Sequence, residues 1–538
     1  MAGGDGSFIG VDFGTSTSLV AERIRSGVTE VWPLGRDEKW IPSVAAYDGG
    51  RFVVGEEADD FEVVIRSVKR AITDNRSIVW VGPEDRPLEL AADQVIVAVL
   101  AEVVRRATHR MPVTDRVRLG CPAMWSGAQR RRLLRLAATA GLRLDLGRLI
   151  DEPVVAGMAW LTGRRARGAT PVQGRVLVFD MGGGTLDVAV LDVRGADNRD
   201  VSVLAALGLA EAGDYLDSAI AEDLENLLAG SGVEVGRLDN PARARGRLRH
   251  AARTAKVALS TEESHPIALP RRTFTIPTLW YHRAQLEAVF APLMDRAEQY
   301  VWAALRTARL TERLSGSTYD LMRLPHDELA RDITHVVVAG GMGRIPYVTR
   351  RLRQLFPNAS AIEACTPAPE EAVVIGLADS ADYGRINMFR PGFDIILEWD
   401  QGRQHRTLYE AYSPLYEQWQ VARGGSDLCH RRTGLDITLP RSGEGWLRAS
   451  SPGGEPVGAI LDGRLLDGFP VFLSEQKFDF KIYCDGRIRL TDGNGYYEGH
   501  VDGWQSIKGR DHDERVRSFD PAPEPDIEVE YPFRHDRN

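Results

Sequence analysis

The sequence predicts an α/β protein over roughly its first 383 residues, followed by a smaller β-rich module. Three observations carry this reading. β-branched, strand-like runs alternate with long patterns of period 3.6 as far as residue 383. Two strand–turn–strand units with the same order of residues, Phe8–Val20 and Val176–Val193, lie within that stretch. From Arg385 to Trp504 aromatic residues become more frequent, turn signals such as DGR and DGNG recur, and no long helical period appears.

At 538 residues the chain is too long for one hydrophobic core and long enough for several compact units of about 150 residues each. With 67 basic and 76 acidic residues, a net charge of −9 and 43% hydrophobic residues, it reads as an ordinary globular chain. That balance gives no support for a nucleic-acid partner. No apolar run approaches the length of a membrane span, and the start MAGGDGSFIG has neither a basic nor an apolar targeting region. Cys121, Cys365, Cys429 and Cys484 form no CxxC pair, so a cytoplasmic, reducing location is expected, with no membrane partner. Only six of the 67 basic residues are lysine, among them Lys69 and Lys256. Codon bias accounts for the scarcity but not for where the six stand.

The first unit, FIGVDFGTSTSLV, runs from an apolar strand through Asp12 and a Gly14-Thr15-Ser16 turn into a second strand. VLVFDMGGGTLDVAVLDV repeats the order with Asp180, Gly182, Gly183, Gly184 and Thr185, and adds Asp187. The strand after each turn separates both from glycine loops that lead directly into a helix. Glycines let backbone N–H groups approach phosphate oxygens, and the hydroxyls add donors. A carboxylate facing phosphate repels it unless a cation lies between, so Asp12 and Asp180 imply Mg²⁺, held through water. A single such turn serves equally as a tight hairpin with Asp as a turn former; two with matching Asp positions favour the phosphate reading.

Between these two units, Leu161–Gly174 reads as an exposed, arginine-rich loop. A third turn, HVVVAGGMGRIPYVTRRLRQLF, leads from a strand through Gly340, Gly341 and Gly343 into a helix with Val348, Leu352, Leu355 and Phe356 on one face. Amides at such a helix start suit a phosphate, and the glycine backbone suits the face of a base. In the β-rich part, Phe478, Phe480 and Ile482 alternate, Asp485-Gly486 fits a hairpin turn, and Ile488 and Leu490 alternate again. The segment Phe519–Phe533 is acidic and proline-rich and reads as an extended tail.

Hairpin, hairpin, then strand–glycine–helix resembles the actin, sugar-kinase and heat-shock ATPase superfamily. The segments Leu119–Leu142, Leu149–Trp160, Glu211–Asp217, Arg249–Ser260 and Pro369–Ala378 narrow the likeness: over residues 7 to 383 the chain is similar to the ATPase domain of the 70-kDa heat-shock chaperones. The resemblance implies two ribonuclease-H-like lobes around a cleft for ATP or ADP with Mg²⁺. It implies an ATPase domain over 1–383, a linker region over 384–399, a β-rich partner-binding domain over 400–510 and a tail over 511–538. By the same resemblance Asp12, Asp180 and Asp187 surround the metal and its waters, and Gly14, Thr15, Ser16, Gly182, Gly183, Gly184 and Thr185 cradle the phosphates. Glu152 orients the metal shell, and Lys69 positions the attacking water and offsets γ-phosphate charge. Gly213, Lys256, Ser260, Gly340, Gly341, Arg344 and Glu370 frame the adenosine end.

Three departures set the chain apart from that family. Arg253 stands where a glutamate for the ribose is common, Val257 where an arginine stacks on adenine, and Met342 replaces a small polar residue, so weaker binding and looser base selectivity are expected. GRINMFR, Gly384–Arg390, replaces an acidic, leucine-rich linker, which weakens the expected coupling between nucleotide and partner. Asp467–Gly495 looks like the late strands of the chaperone's β-sandwich, with no helical lid expected after it. The expected function is a divergent ATPase whose cycle controls a protein or peptide client, with a co-chaperone or exchange factor. The alternatives are an enzyme that modifies a small-molecule acceptor on the same scaffold, and a nucleotide-dependent scaffold.

Overall fold

The computed structural model describes residues 8–500 and the short strand Asp520–Pro521, leaving out 25–26, 62–63, 82–86, 109–115, 145, 196, 271, 275–277, 312–319, 322, 388–389, 417–419, 421–427, 451–455, 458, 462–463, 467–468 and 484–486. They pack as two compact units, one reaching residue 389 and one beginning at Arg390.

The first unit contains the same sheet twice. In one copy the hairpin Phe8–Phe13/Thr17–Arg23 is extended by Thr29–Val31 on the side of its second arm. Val117–Cys121 joins its first arm in parallel, and Leu149–Asp151 follows, also parallel. In the other copy the hairpin is Gly174–Met181/Leu186–Arg194, extended by Asp200–Leu209, with Ile333–Ala339 and Ala361–Ala364 added in parallel. Each sheet therefore runs third, second, first, fourth, fifth strand, the duplicated architecture of an actin-like two-lobed ATPase fold. The strands read as continuous apolar runs because helices cover the sheets: Val176 to Met181 are all buried.

Two helices tie the copies together. Glu152–Ala166 follows the last strand of the first sheet but packs on the second, while Ala372–Asp379 follows the last strand of the second sheet and packs on the first. They also pack on each other. Every residue from Glu152 to Leu161 is buried, as a helix enclosed on all sides requires. Asp151 precedes this helix as its cap and Pro153 lies in its first turn, where a missing N–H costs nothing. The loop expected over Leu161–Gly174 is corrected here: the helix continues to Ala166 and Leu161 is buried. Its arginines sustain the helix, which ends before Gly168 at φ +66°.

Gly384–Asn387 forms a strand parallel to Asp200–Val203 at the edge of the second sheet. In the second unit, Asp394–Trp399 pairs with Gln404–Tyr409 and Gly443–Ser450, the latter also with Phe469–Leu473. A separate sheet joins Cys429–Thr433, Asp479–Tyr483, Arg487–Thr491 and Tyr496–His500. Alternate residues are buried, including Leu397, Leu447, Val471, Phe478, Phe480, Ile482, Ile488 and Leu490, which is the pattern of a sandwich. The Asp485-Gly486 turn and the 511–538 tail, apart from Asp520–Pro521, lie outside the described residues. Among the described residues no helix is long and apolar enough to cross a membrane.

Candidate functional site

The two hairpin turns face each other. Thr15 Oγ1 lies 2.5 Å from where a Cβ on Gly184 would sit, and Ser16 Oγ would collide with one on Gly183. Only glycine permits this approach, and it places the hydroxyl-bearing turn directly against the glycine turn. The Gly182–Thr185 turn is in turn bound to the helix Gly213–Gly230: Gly213 N–H donates to Gly182 O at 3.2 Å and Asp214 N–H to Gly183 O at 2.7 Å.

Five charged residues converge at the base of the turns. Asp12 and Asp180 are the next-to-last residues of the first arms of their hairpins, and Asp187 lies directly opposite Asp180 in the sheet register. Glu152 opens the helix that crosses between lobes. Lys69 comes from the short helical segment of the first lobe and donates from Nζ to Glu152 Oε1. All five are buried, with side chains in reach of one another's charge. Burial and the Glu152 carboxylate push Asp12 and Asp187 each up to about 7. Burial first, then Glu152, Asp187 and Asp12, hold Asp180 well above the ordinary carboxylate range. For Lys69 burial opposes the charge, yet Glu152 and Asp12 outweigh it and raise its pKa. Asp187 is further fixed by Ala123 N–H at 2.7 Å. Four carboxylates against one ammonium leave the cluster short of positive charge, which is the electrostatic demand of a hard divalent cation.

The remaining expected residues form two groups. Lys256 Nζ meets Asp217 Oδ1 at 2.7 Å and donates to Gly213 O at 3.1 Å, which brings it to the start of the Gly213–Gly230 helix. Ser260 Oγ donates back to Lys256 O at 3.2 Å. Arg344 grips Glu370 with both arms of its fork, Nε to Oε2 at 3.0 Å and Nη2 to Oε1 at 2.6 Å. Gly340, at φ +75°, packs so tightly on the second hairpin that a Cβ would lie 2.6 Å from Asp180 Oδ1. Gly341 has open space beside it. The third turn is a 3₁₀ turn over Gly341–Arg344, and the helix starts only at Pro346, with Val348 and Leu352 buried on its inner face.

Sequence reasoning missed several neighbours. Trp125 stacks its ring near Lys69, 5.7 Å from Nζ to the ring centroid. Buried Arg130 bonds Trp125 O at 3.0 Å and pairs with Asp151, the residue before Glu152. Ser67, at φ +54°, bonds Asp214 from the opposite lobe. Trp125, Arg130, Asp151 and Asp214 all fall inside segments that carried the resemblance, but nothing local marks them. They become visible only through contacts between distant parts of the chain.

The profile of the family described as Hsp70 protein matches residues 8–383. Among curated relatives, the chaperone protein DnaK of Thermosipho melanesiensis is 27% identical over 406 residues, covering 72% of this chain and 61% of that protein. The chaperone protein DnaK of Thermotoga neapolitana is 27% identical over 407 residues, with the same coverage of each chain. The chain thus spans about 61% of the length of these relatives. Because the profile match runs through both lobes and closes near the end of the first unit, this chain belongs to the Hsp70 family.

Proposed function

We propose that the chain binds and slowly hydrolyses ATP with Mg²⁺, and that the nucleotide cycle controls binding of a protein or peptide partner. The observation that carries this is the buried cluster of Asp12, Lys69, Glu152, Asp180 and Asp187 beneath two interlocked glycine turns. Magnesium fits the donor chemistry: oxygen ligands only, and an excess of carboxylates. Among the described residues no group of three His, Cys, Asp or Glu is arranged to hold an ion alone. Asp12 and Asp180 would therefore hold it jointly with phosphate oxygens and water. When bound, the ion offsets phosphate charge and fixes the direction of transfer.

The chain's own residues do the rest. Gly14 to Ser16 and Gly182 to Thr185 present amides and hydroxyls to the phosphates from opposite sides. Lys69, kept protonated by Glu152 and Asp12, places a positive charge where the transferred phosphoryl spreads negative charge. Glu152 orients Lys69, and would accept from water around a bound ion. Lys256, Ser260, Gly340, Gly341, Arg344 and Glu370 frame the nucleoside. The names of the DnaK relatives and the sandwich of the second unit support a polypeptide partner.

Single-turnover hydrolysis tests the reading. Wild type hydrolyses bound ATP slowly, peptide or co-chaperone raises steady-state turnover, and Lys69→Met retains ADP binding while losing about 100-fold or more in rate. Wild type that binds no nucleotide, or a Lys69→Met rate equal to wild type, contradicts it.

A further inference from the structure

We propose that Trp125 is the positioning residue for Lys69, holding its ammonium at Glu152 and toward the phosphate turns. The inference rests on the ATPase reading above and names a residue that neither the motifs nor the family match singled out.

Trp125 touches the surroundings of Lys69 in three ways. Its ring faces the ammonium, 5.7 Å from Nζ to the centroid. Its indole Nε1–H donates to Thr73 Oγ1 at 3.1 Å, which fixes the ring to the last residue of the helix Arg70–Thr73 that Lys69 caps. Its carbonyl accepts from Arg130 Nε at 3.0 Å, and Arg130 pairs with Asp151, the residue before Glu152. The indole is therefore anchored to the segment bearing the lysine, while the backbone of Trp125 is tied, through Arg130, to the strand leading into its carboxylate partner.

The chemistry of the ring suits this place. Lys69 is 3% exposed and Trp125 wholly buried, so water cannot hold the ammonium in position. A lysine has four rotatable bonds and one point charge, and a single carboxylate contact leaves it free to swing about that contact. An aromatic face attracts the cation, excludes water and fills the volume into which the chain would otherwise turn. Gln129 adds a second tie, donating from Nε2 to Thr73 O at 2.9 Å and Ile72 O at 3.2 Å, so the helix under Lys69 is clamped to the segment that carries Trp125.

The test compares W125L and W125F in the wild-type and K69M backgrounds, with single-turnover ATP hydrolysis and ADP affinity measured on the full chain. W125L is expected to slow hydrolysis about tenfold with ADP affinity unchanged, because the ring acts on the cation rather than on the nucleotide. W125F, which keeps a π face, loses no more than about threefold. In the K69M background W125L has no further effect on rate, since the group it positions is gone. Equal losses in W125L and W125F, a parallel fall in ADP affinity, or an added loss in K69M would overturn the proposal and leave Trp125 as core packing. Should W125L not fold, T73V serves instead: it removes the acceptor of the indole N–H with little change in volume. T73V is expected to slow hydrolysis, and an unchanged rate overturns the assignment. A wild type that fails to bind ATP would instead remove the ATPase reading itself, an outcome distinct from all of these.

Discussion

Thr15 Oγ1 stands 2.5 Å from the position that a Cβ on Gly184 would occupy, so the turn of one lobe is seated in the turn of the other. Both hairpins bring an aspartate to the floor of this junction. The fold thus makes one site from two copies of a single motif.

Replacing that glycine separates the turns. Gly184→Ala places a methyl group within the Thr15 side chain, and the hairpins must move apart to admit it. Titration with Mg-ADP is expected to show at least about tenfold weaker binding, with the far-ultraviolet circular dichroism of the wild type. Wild-type affinity in Gly184→Ala would contradict the interlocked arrangement.

The pH dependence follows from the buried carboxylates. Asp12 and Asp187 titrate near 7 in the folded chain, against an ordinary value of 3.8. The folded state therefore binds protons that the unfolded chain has released. Their contribution to stability is complete below 3.8 and is lost as pH rises through about 7. Mg-nucleotide favours the ionised forms, so the rise in Tm on adding Mg-ADP is expected to be larger at pH 8 than at pH 6. Equal shifts at the two pH values would count against a metal at these aspartates.

Base selectivity is expected to be loose. Val257 is 64% exposed and offers neither charge nor a π face, and the Arg344 fork is already engaged by Glu370. Competition binding should separate ATP from GTP by less than about tenfold. Val257→Arg should tighten ATP by about 0.5–2 kcal/mol, the range of a cation–π contact. No gain in that variant would place the base elsewhere.

The Arg130–Asp151 pair supports the site from behind. Arg130 is 2% and Asp151 4% exposed, so removing one partner leaves a buried charge without compensation. Arg130→Ala is expected to lose about 3–5 kcal/mol in denaturant unfolding of the apo chain. A loss below about 1 kcal/mol would show that the pair is not held as described.

Much of the fold was legible because its signals are local. The hairpins announce themselves through apolar arms around glycine turns, and Phe478, Phe480 and Ile482 alternate as the sandwich requires. The convergence of Asp12, Lys69, Glu152, Asp180 and Asp187 came from the family resemblance, since these residues span more than a hundred positions. Two of the six lysines, Lys69 and Lys256, are held in ion pairs with little exposure. What could not be read was the wall around Lys69. Trp125 is one apolar residue among many in sequence, and only its seat against Lys69, Thr73 and Arg130 gives it meaning. The end of the helix Glu152–Ala166 is likewise not legible in sequence, because an arginine-rich stretch looks like a loop when the buried face preceding it is unseen.

The most direct test of the account is calorimetric titration of nucleotide into the full chain, with and without Mg²⁺, in wild type and Asp180→Asn. The account predicts one site per wild-type chain, binding that weakens sharply when EDTA removes the metal, and little metal dependence in Asp180→Asn. Wild type that binds no nucleotide, or binds it equally with EDTA and in Asp180→Asn, would contradict it.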